Sequence, residues 1–369
     1  MRIGIDAKRI FLNKSGLGSY GRNLVTGLNS IIDDDNKYFL YTPKKTNLFD
    51  YKNLNFNFTT KESESFSKAL WRTITISHDL KNDGIDIYHG ISNEFPLYLS
   101  NKKINTIVDI HDLLFLRFPQ FYSFFDRQIF RIKTEMACRD SDKIIATSIA
   151  TKNEIIKYYN TNPNKIEVVY QSCNDSFFNV KTKEEKLAVL EKYSLPKEYI
   201  LCVGTIQERK NQKQILEALK ISKNKIPLVL VGGGKKYKTE LIEFAFKNKL
   251  QLVFPNKFVK DEDLPAIYQH AKIFVFPGLY EGFGIPVLEA MASKTNVITS
   301  INTSMSEIVK NTKCLINPLS TEDIADRIDY FLENDSIDIV EDNFLRAKQF
   351  TNIKFAERTL KVYDAVRNK

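Results

Sequence analysis

Residues 273–293 read IFVFPGLYEGFGIPVLEAMAS, and this order predicts a strand, a turn and a helix. The run 273–277 is apolar without interruption, which is typical of a parallel strand that is buried on both faces. Gly282, Phe283 and Gly284 then precede a helical segment in which Pro286 suits the first turn. Backbone N–H groups at such a helix start can bind an anion, so this turn is a candidate ligand site.

Two glutamates flank the turn. Glu281 precedes the helix, and Glu289 lies within it, eight residues further along the chain. On one helix the two side chains would share a face. With Glu281 in the turn, they can instead hold two parts of one extended ligand. The alternative is an acidic cap and a surface glutamate, which leaves the Gly-Phe-Gly sequence unexplained.

Apolar runs and helical segments alternate on both sides of this stretch. In the second half, we predict strands at 199–205, 228–232, 250–254, 273–277, 296–300 and 314–317. Helices are predicted at 212–221, 236–247, 261–271, 285–293, 305–309, 321–334 and 353–367. In the first half, strands are predicted at 2–6, 38–42, 86–90, 106–110, 143–147 and 166–170. Helical spacing occurs there in three groups: Leu24, Val25, Leu28 and Ile32; Phe66, Leu70 and Ile74; Ile129, Ile132 and Met136. This alternation predicts an α/β protein with two Rossmann-like, doubly wound domains.

The join between the domains is expected in the polar and charged segment 171–196. We predict an N-terminal domain at 1–180, a C-terminal domain at 181–350 and a separate helix at 351–369. No strand follows that helix, so it must pack on an existing surface.

The composition is that of a soluble globular protein without a disulfide framework. The length of 369 residues suits two domains, and the net charge of +9 fits an anionic ligand or simply a lysine-rich surface. The four cysteines, Cys138, Cys173, Cys202 and Cys314, lack metal-ligand spacing and suit a reducing cytoplasm. We see neither a signal peptide nor an apolar run long enough to span a membrane, and we therefore expect a cytoplasmic protein.

Other candidate residues follow predicted strands, where ligands bind in open parallel sheets. Gly16 and Gly18 lie between the first strand and a helix, although a plain tight turn explains them equally well. Arg209 and Lys210 stand at the start of a helix, where the macrodipole disfavours cations. Such cations suit an anion site better than a solvated turn.

His111 follows the strand at 106–110 and is joined to a carboxylate, Asp112. A histidine at a strand end is a candidate for catalysis or ligand binding, although a lone His-Asp pair is more often structural. Asp-x-Asp, a spacing that can bind a divalent metal ion, occurs at Asp33/Asp35, Asp140/Asp142 and Asp261/Asp263. None of the three follows a strand, so we interpret them as turn or cap residues.

The segment 115–130 is rich in aromatic residues. A surface that faces lipid or acceptor is one interpretation of it. The group comprises Phe118, Phe121, Tyr122, Phe124, Phe125 and Phe130. Ordinary packing is the interpretation that we favour for it.

Taken together, EGFGIPVLE at 281–289, VGTIQERKNQ at 203–212, KDEDLPAIYQHA at 260–271, GLGSYGRNL at 16–24 and DIHDLLFLRFP at 109–119 resemble glycosyltransferase family 4. The five elements occur in the family's order and span nearly the whole chain. The resemblance implies the GT-B fold, in which two Rossmann-like domains face each other across a cleft, and a last helix that crosses back to the N-terminal domain.

The resemblance also implies a role for each candidate residue. Arg209 and Lys210 would bind the donor diphosphate, Glu281 the donor sugar, and Glu289 the ribose hydroxyls. The backbone at Gly282, Phe283 and Gly284 would contact sugar or phosphate, and Gly16 and Gly18 would line the phosphate side. His111 would face the reacting sugar and orient it, without acting as a base.

The implied activity is that of a retaining hexosyltransferase that needs no cofactor or metal, because two cations and a helix dipole stabilise the leaving diphosphate. GDP-mannose is the first expected donor and a UDP-sugar the second, with a glycan or lipid-linked saccharide as acceptor. Peripheral contact with the inner face of a membrane stays open, and no nucleic acid partner is expected. Two other functions remain as alternatives: a sugar-nucleotide 2-epimerase and a non-catalytic homologue that binds nucleotide sugar.

Overall fold

The structure is a computed structural model that describes the chain except for residues 32–34, 56, 64–66, 68–70, 94–95, 97–98, 100–103, 302–303 and 368–369. The chain divides into two compact units. The N-terminal unit comprises residues 1–172 and 352–369, and the C-terminal unit comprises residues 173–351. We expected the boundary at residue 180. It falls earlier because residues 173–180 contact the C-terminal unit, where the Phe177 ring meets that of Tyr268 edge to face.

Parallel strands form the centre of the N-terminal unit. Their bounds are β1 Arg2–Asp6, β2 Lys37–Thr42, β3 Phe58–Glu62, β4 Ile87–Gly90, β5 Asn105–Ile110, β6 Lys143–Ala146 and β7 Ile166–Val168. Among the described residues, the strand order in the sheet is β3-β2-β1-β4-β5-β6-β7. The chain thus builds the sheet in one direction from β1 and then in the other from β4.

Helices cover this sheet. They are α1 Lys8–Leu12, α2 Gly16–Ser30, α3 Ile76–Asn82, α4 Leu114–Arg117, α5 Phe124–Asp140, α6 Ile149–Tyr159 and, after the C-terminal unit, α15 Asn352–Arg367. Helix α15 packs on α2 so closely that a Cβ on Gly27 would lie 2.1 Å from the backbone oxygen of Asn352. The apolar faces of the two helices share one core, to which Leu24, Leu28 and Phe355 contribute.

The C-terminal unit repeats this architecture. Its strands are β8 Ile200–Val203, β9 Leu228–Val231, β10 Leu252–Val253, β11 Ile273–Phe276, β12 Asn296–Ser300 and β13 Leu315–Ile316. In the described part of this unit, the parallel order is β10-β9-β8-β11-β12-β13. Its helices are α7 Lys183–Tyr193, α8 Gln212–Ile221, α9 Lys236–Lys247, α10 Leu264–His270, α11 Ile285–Ala292, α12 Met305–Ile308, α13 Thr321–Glu333 and α14 Ile337–Ala347.

The structure confirms the predicted class of two doubly wound α/β domains. The sequence did not predict strand β3 or helices α1, α3, α4, α6, α7 and α14, and α7 lies within the segment 171–196 that was expected to be a polar join. In the predicted helix around Phe66, Leu70 and Ile74, the first two residues lie outside the described part of the chain, and Ile74 belongs to a π-helical turn, Trp71–Thr75. Ile32 also lies outside the described residues.

Among the described residues, no helix has both the length and the hydropathy that crossing a bilayer would require. The four cysteines are buried and unpaired.

Candidate active site

The two central strands of the C-terminal unit, β8 and β11, define a topological switch point. They are neighbours in the sheet, and the chain leaves them in opposite directions, toward β9 on one side and β12 on the other. In open parallel sheets, ligands bind beyond the carboxyl ends of the strands at such a point. The turns that follow these two strands carry Arg209, Lys210 and Glu281.

Arg209 and Lys210 both contact the same carboxylate. They stand on a single 3-10 turn, Glu208–Lys210, and the backbone N–H of Leu279 donates to the Arg209 carbonyl at 3.0 Å. Oε1 of Glu281 accepts from Arg209 Nη1 at 2.7 Å and from Lys210 Nζ at 2.5 Å. The structure therefore brings together the two predicted cations and the first predicted glutamate.

Lys210 is the most enclosed member of this group. Its ammonium lies 4.8 Å from the centre of the Phe276 ring, on the last residue of β11. Burial lowers the pKa of Lys210, and the neighbouring Arg209 lowers it further, while Glu281 raises it. Two cations share one carboxylate, so the cluster has an excess positive charge that an anionic ligand would neutralise.

The turn 282–284 ends at the helix as the sequence predicts. Gly284 has φ +109° and caps α11, and a Cβ there would lie 2.8 Å from Cγ of Met305. A glycine is needed because other residues rarely adopt this φ. The hydroxyl of the buried Ser304 lies 2.7 Å from the Glu281 carbonyl and 2.9 Å from that of Phe283, so it fixes the turn on both sides of Gly282.

Glu289 lies on α11 and makes a different contact. Its Oε2 accepts a 2.8 Å hydrogen bond from the hydroxyl of Tyr268, on α10. Burial raises the pKa of Glu289 to about 7, Asp261 raises it as well, and the Tyr268 bond opposes them. This carboxyl therefore changes charge near neutral pH.

Sequence reasoning missed the residues that hold the site together. Tyr268 and Ser304 are distant in sequence from the residues they position, and no local pattern marks them. The run Gly232-Gly233-Gly234 after β9 is a sequence feature that could have indicated a close approach between strand-end turns. A Cβ on Gly232 would lie 1.9 Å from the carbonyl oxygen of Gly204, which follows β8, so the two strand-end turns touch.

In the N-terminal unit, His111 follows β5 and is held by backbone contacts. Its Nε2 lies 2.9 Å from the carbonyl oxygen of Ile91, and its backbone N–H donates to Asn93 Oδ1 at 3.0 Å. A carbonyl only accepts, so Nε2 carries the proton and Nδ1 is the acceptor of the neutral ring. The ring of Tyr20 meets the imidazole edge to face, with 4.5 Å between centroids.

Gly16 and Gly18 differ in their surroundings. Gly16 opens α2, and a Cβ there would meet nothing within 4 Å. A Cβ on Gly18 would lie 1.9 Å from the carbonyl oxygen of Asn13, so this glycine is required by its own turn. Only Gly16 presents open space to a ligand, and the phosphate role that the resemblance implies for the two residues stays a prediction.

Protein donors hold the Asp-x-Asp carboxylates in the described residues. Asp142 accepts from the backbone and hydroxyl of Thr106, and Asp140 pairs with Arg139. Asp263 accepts from Tyr193 and Lys192. Asp263 stands at the N-cap of α10 but does not cap it with its side chain, so its carboxylate has a tertiary role rather than the predicted cap role. Asp33 lies outside the described residues.

Two family descriptions match the chain in tandem. Glycosyltransferase Family 4 matches residues 16–176, and Glycosyl transferases group 1 matches residues 183–346. The two matches include every site residue described above. The chain belongs to glycosyltransferase family 4.

Curated relatives of this family 4 transferase include mannosyltransferases. It is 29% identical over 286 residues to O-antigen chain mannosyltransferase B of Escherichia coli. The matched segment covers 75% of this chain and 74% of the relative. It is 29% identical over 218 residues to O-antigen chain mannosyltransferase RfbU of Salmonella typhimurium, covering 58% and 57%. Serotype-specific mannosyltransferase WbdA of Escherichia coli is 28% identical over 258 residues, which are 65% of this chain but 31% of that protein. The chain therefore spans only part of each relative.

Solved structures share the fold of this family 4 transferase. Sucrose-phosphate synthase from Thermosynechococcus elongatus superposes with a TM-score of 0.79 at 17% identity and covers 100% of this chain and 99% of its own. HepE of Anabaena, solved in complex with UDP and glucose, gives 0.77 at 14% identity and covers 99% and 100%. These similarities confirm the GT-B fold class, and the family confirms a glycosyltransferase. The 2-epimerase and non-catalytic alternatives are therefore dropped.

Proposed function

We propose that this glycosyltransferase moves a hexose, with retention of configuration and without a metal ion, from a nucleoside diphosphate sugar to a glycan or lipid-linked saccharide. The observation that carries the proposal is the convergence of Arg209 and Lys210 on Glu281 at the β8–β11 switch point. Two cations and one carboxylate have a net positive charge, and the start of helix α11 adds the positive end of its dipole.

The donor diphosphate would take over the contacts that Glu281 now makes. Both cations lie within 2.7 Å of one carboxylate oxygen, so a bound diphosphate competes for the same N–H groups. Glu281 is then free to accept hydrogen bonds from hydroxyls of the donor sugar. The two cations would thus keep an anionic partner, and hydrogen bonds from the sugar hydroxyls would satisfy the Glu281 carboxylate.

Bond cleavage places new negative charge where the cations are. The bond between the anomeric carbon and the diphosphate oxygen breaks, and its electron pair leaves with the diphosphate. The acceptor oxygen bonds to the same face of the sugar, and its proton passes to the leaving oxygen. Loss of one positioned donor to such a charge costs about 2.7–4 kcal/mol of barrier, so Arg209 and Lys210 can replace a divalent ion.

For Glu289 and His111, we propose roles in binding rather than in bond making. Ionised Glu289 would accept from the ribose hydroxyls, and Tyr268 would hold its carboxylate in place. His111 would orient substrate through Nδ1, because Nε2 is engaged by the Ile91 carbonyl.

The named relatives favour mannose as the transferred sugar. All of those described above are mannosyltransferases, two of them of O-antigen chains. We therefore propose GDP-mannose as the first donor to test and a UDP-sugar as the second. A lipid-linked polysaccharide acceptor would bring the protein to the cytoplasmic face of a membrane.

Thermal-shift binding tests the proposal. GDP, UDP, ADP, GDP-mannose and UDP-glucose would each be added to the protein, with and without EDTA. A ligand that binds the folded state raises the melting temperature, because it adds RT ln(1 + [L]/Kd) to the free energy of unfolding. We expect one nucleotide to give a shift that EDTA does not reduce.

Variants then connect the shift to the site. Lys210→Met should abolish the shift and lower turnover on the verified donor by about 10²–10³-fold. Lys213→Met is the matched control, because Lys213 is an exposed lysine on the next helix whose ammonium lies 3.8 Å from Glu217 and 5.4 Å from the centre of the Phe244 ring, away from Glu281. An EDTA-sensitive shift would contradict metal independence, and equal effects of the two substitutions would contradict the site.

A further inference from the structure

Helix α5 has two apolar faces instead of one. Its inner face carries the buried residues Thr134, Ala137 and Cys138, which pack into the N-terminal unit. The opposite face carries Phe125, Ile129, Ile132 and Met136, at intervals of four, three and four residues. At 3.6 residues per turn, these four side chains form one stripe, which we call the outer stripe.

Three of the four side chains in the outer stripe are exposed, and Met136 is half-buried. Phe125 is 77% exposed, Ile129 50% and Ile132 55%. Phe124 flanks it with 63% exposure, and its ring contacts that of Phe125 edge to face. Contiguous apolar surface of this kind marks an interaction site, whereas single exposed apolar residues are ordinary. We favoured packing for the aromatic segment, and this interpretation is wrong for Phe124 and Phe125.

Charge distinguishes the unit that carries this stripe. The N-terminal unit has 29 Lys and Arg against 21 Asp and Glu, a net charge of +8, whereas the C-terminal unit has 25 against 24, a net charge of +1. On α5 itself, Arg131 and Lys133 are exposed beside the stripe, and Asp126 and Glu135 are exposed acids of the same helix. The carboxylate of Asp126 accepts from Ser123, and that of Asp140 pairs with Arg139.

We propose that the outer stripe of α5 docks the protein on an anionic lipid surface. Phenylalanine and isoleucine side chains would enter the boundary between headgroups and acyl chains, and the basic unit would be attracted to the negative headgroups. This deepens the proposed function and rests on it for the lipid-linked acceptor, which is presented at such a surface. Vesicle binding itself needs neither donor nor acceptor, so the two proposals fail separately.

Flotation with vesicles tests the docking surface. The full chain would be mixed with vesicles of three parts phosphatidylcholine to one part phosphatidylglycerol, or of phosphatidylcholine alone. We expect binding to the anionic vesicles that weakens with added salt. Phe125→Ser combined with Ile129→Ser should weaken it by at least about tenfold, since burial of one such side chain is worth a factor of this size. Arg131→Glu with Lys133→Glu should remove the preference for anionic vesicles.

Matched controls keep the result specific. Phe246→Ser removes a phenylalanine that is 87% exposed on α9 of the C-terminal unit, and it should leave vesicle binding unchanged. All variants should keep the melting temperature and nucleotide-induced shift of the unaltered chain, because none touches the site. The proposal is overturned if the chain does not float, or if the outer-stripe variant floats as well as the control. Sedimentation that shows a dimer dissociated by Phe125→Ser would also overturn it, because a second copy would then cover the stripe.

Discussion

Glu281 is the residue on which the charge balance of the site depends. Its Oε1 is shared by a guanidinium and an ammonium whose side chains are 15% and 10% exposed. Removing one partner of a largely buried ion pair is more costly than the pair is worth, because the remaining charge stays desolvated. In the ligand-free protein, Glu281 therefore stabilises the fold as well as preparing the site.

Glu281→Gln should lower the stability of the free protein and increase its response to nucleotide. The variant leaves two cations with a neutral partner, which should cost up to about 3 kcal/mol of unfolding free energy. A bound diphosphate supplies the missing negative charge, so the nucleotide-induced rise in melting temperature should exceed that of the unaltered chain. Turnover should fall, because the sugar hydroxyls lose a charged acceptor and keep only the weaker amide oxygen.

Melting curves with and without the nucleotide check this, with Glu217→Gln as the control for an exposed glutamate paired with a lysine. A nucleotide-induced shift equal to or smaller than that of the unaltered chain would mean that the diphosphate does not use these cations.

Glu289 should make stability depend on pH. Its pKa is about 7 in the folded protein against an ordinary value of 4.5. Between these values, the folded chain keeps a proton that the unfolded chain has released, so the unfolding free energy falls as pH rises through this window. Glu289→Gln cannot ionise. The variant should therefore match the unaltered chain near about pH 5 and exceed it near about pH 8, by up to about 3 kcal/mol.

Denaturant melts of both proteins at the two pH values measure this difference, and other titrating groups cancel in the comparison. Nucleotide binding should show the reverse preference: the unaltered chain should bind better above pH 7, where Glu289 is charged, and the variant weakly throughout. A constant stability difference at all pH values would contradict the raised pKa.

At the scale of elements, the first turn of α2 contains two glycines that look alike in sequence but have different surroundings. Gly18→Ala places a Cβ against the carbonyl of Asn13, whereas Gly16→Ala places one in open space. We expect Gly18→Ala to lower the unfolding free energy by more than about 2 kcal/mol and Gly16→Ala to leave it within about 0.5 kcal/mol. Melting temperatures check the pair. If Gly16→Ala keeps its stability and loses donor binding, Gly16 contacts the ligand; equal melting temperatures would contradict the predicted clash.

The elements that the sequence predicted are those whose apolar pattern has a single explanation. Continuous apolar runs located β1 and β12 with their observed bounds, because strands buried on both faces admit little else. Strand β3, with the sequence FTTKE, lies at the sheet edge and is only partly buried, so it has no apolar run to detect. Helix α14 buries Ile339, Asn343 and Ala347, a stripe too weakly apolar to stand out.

Helix α5 shows a second limit of prediction from the sequence. The spacing of Ile129, Ile132 and Met136 correctly predicts a helix, but it does not tell which face packs inward. Small residues such as Ala137 and Cys138 make the buried face, and the larger apolar ones stay outside. For the site, strand-end reasoning found Arg209, Lys210 and Glu281, whereas Tyr268 and Ser304 required the three-dimensional contacts.

At the scale of the whole molecule, the two units have the same type of topology but differ in net charge and in the functional surface that each carries. In both sheets, the direction in which successive strands are added changes between two central strands. These are β1 and β4 in one unit and β8 and β11 in the other. The unit with the cation–carboxylate cluster is nearly neutral, and the unit with the outer stripe carries almost all of the net charge. Charge at the donor site is thus local, a matter of two side chains, whereas attraction to a negative surface involves a whole unit.

The N-terminal unit is completed by a helix that is synthesised after the entire C-terminal unit. The chain leaves the N-terminal unit after Ser172 and returns to it at Asn352. The Ser172 hydroxyl donates a 2.7 Å hydrogen bond to Oδ1 of Asn352. On the ribosome, the C-terminal unit is contiguous and can fold as soon as it emerges, whereas the N-terminal unit must wait for α15. Until then Leu24 and Leu28 on α2 lack their covering partner. The core of the N-terminal unit therefore closes only when two segments at opposite ends of its sequence meet, which makes its completion a long-range step of folding.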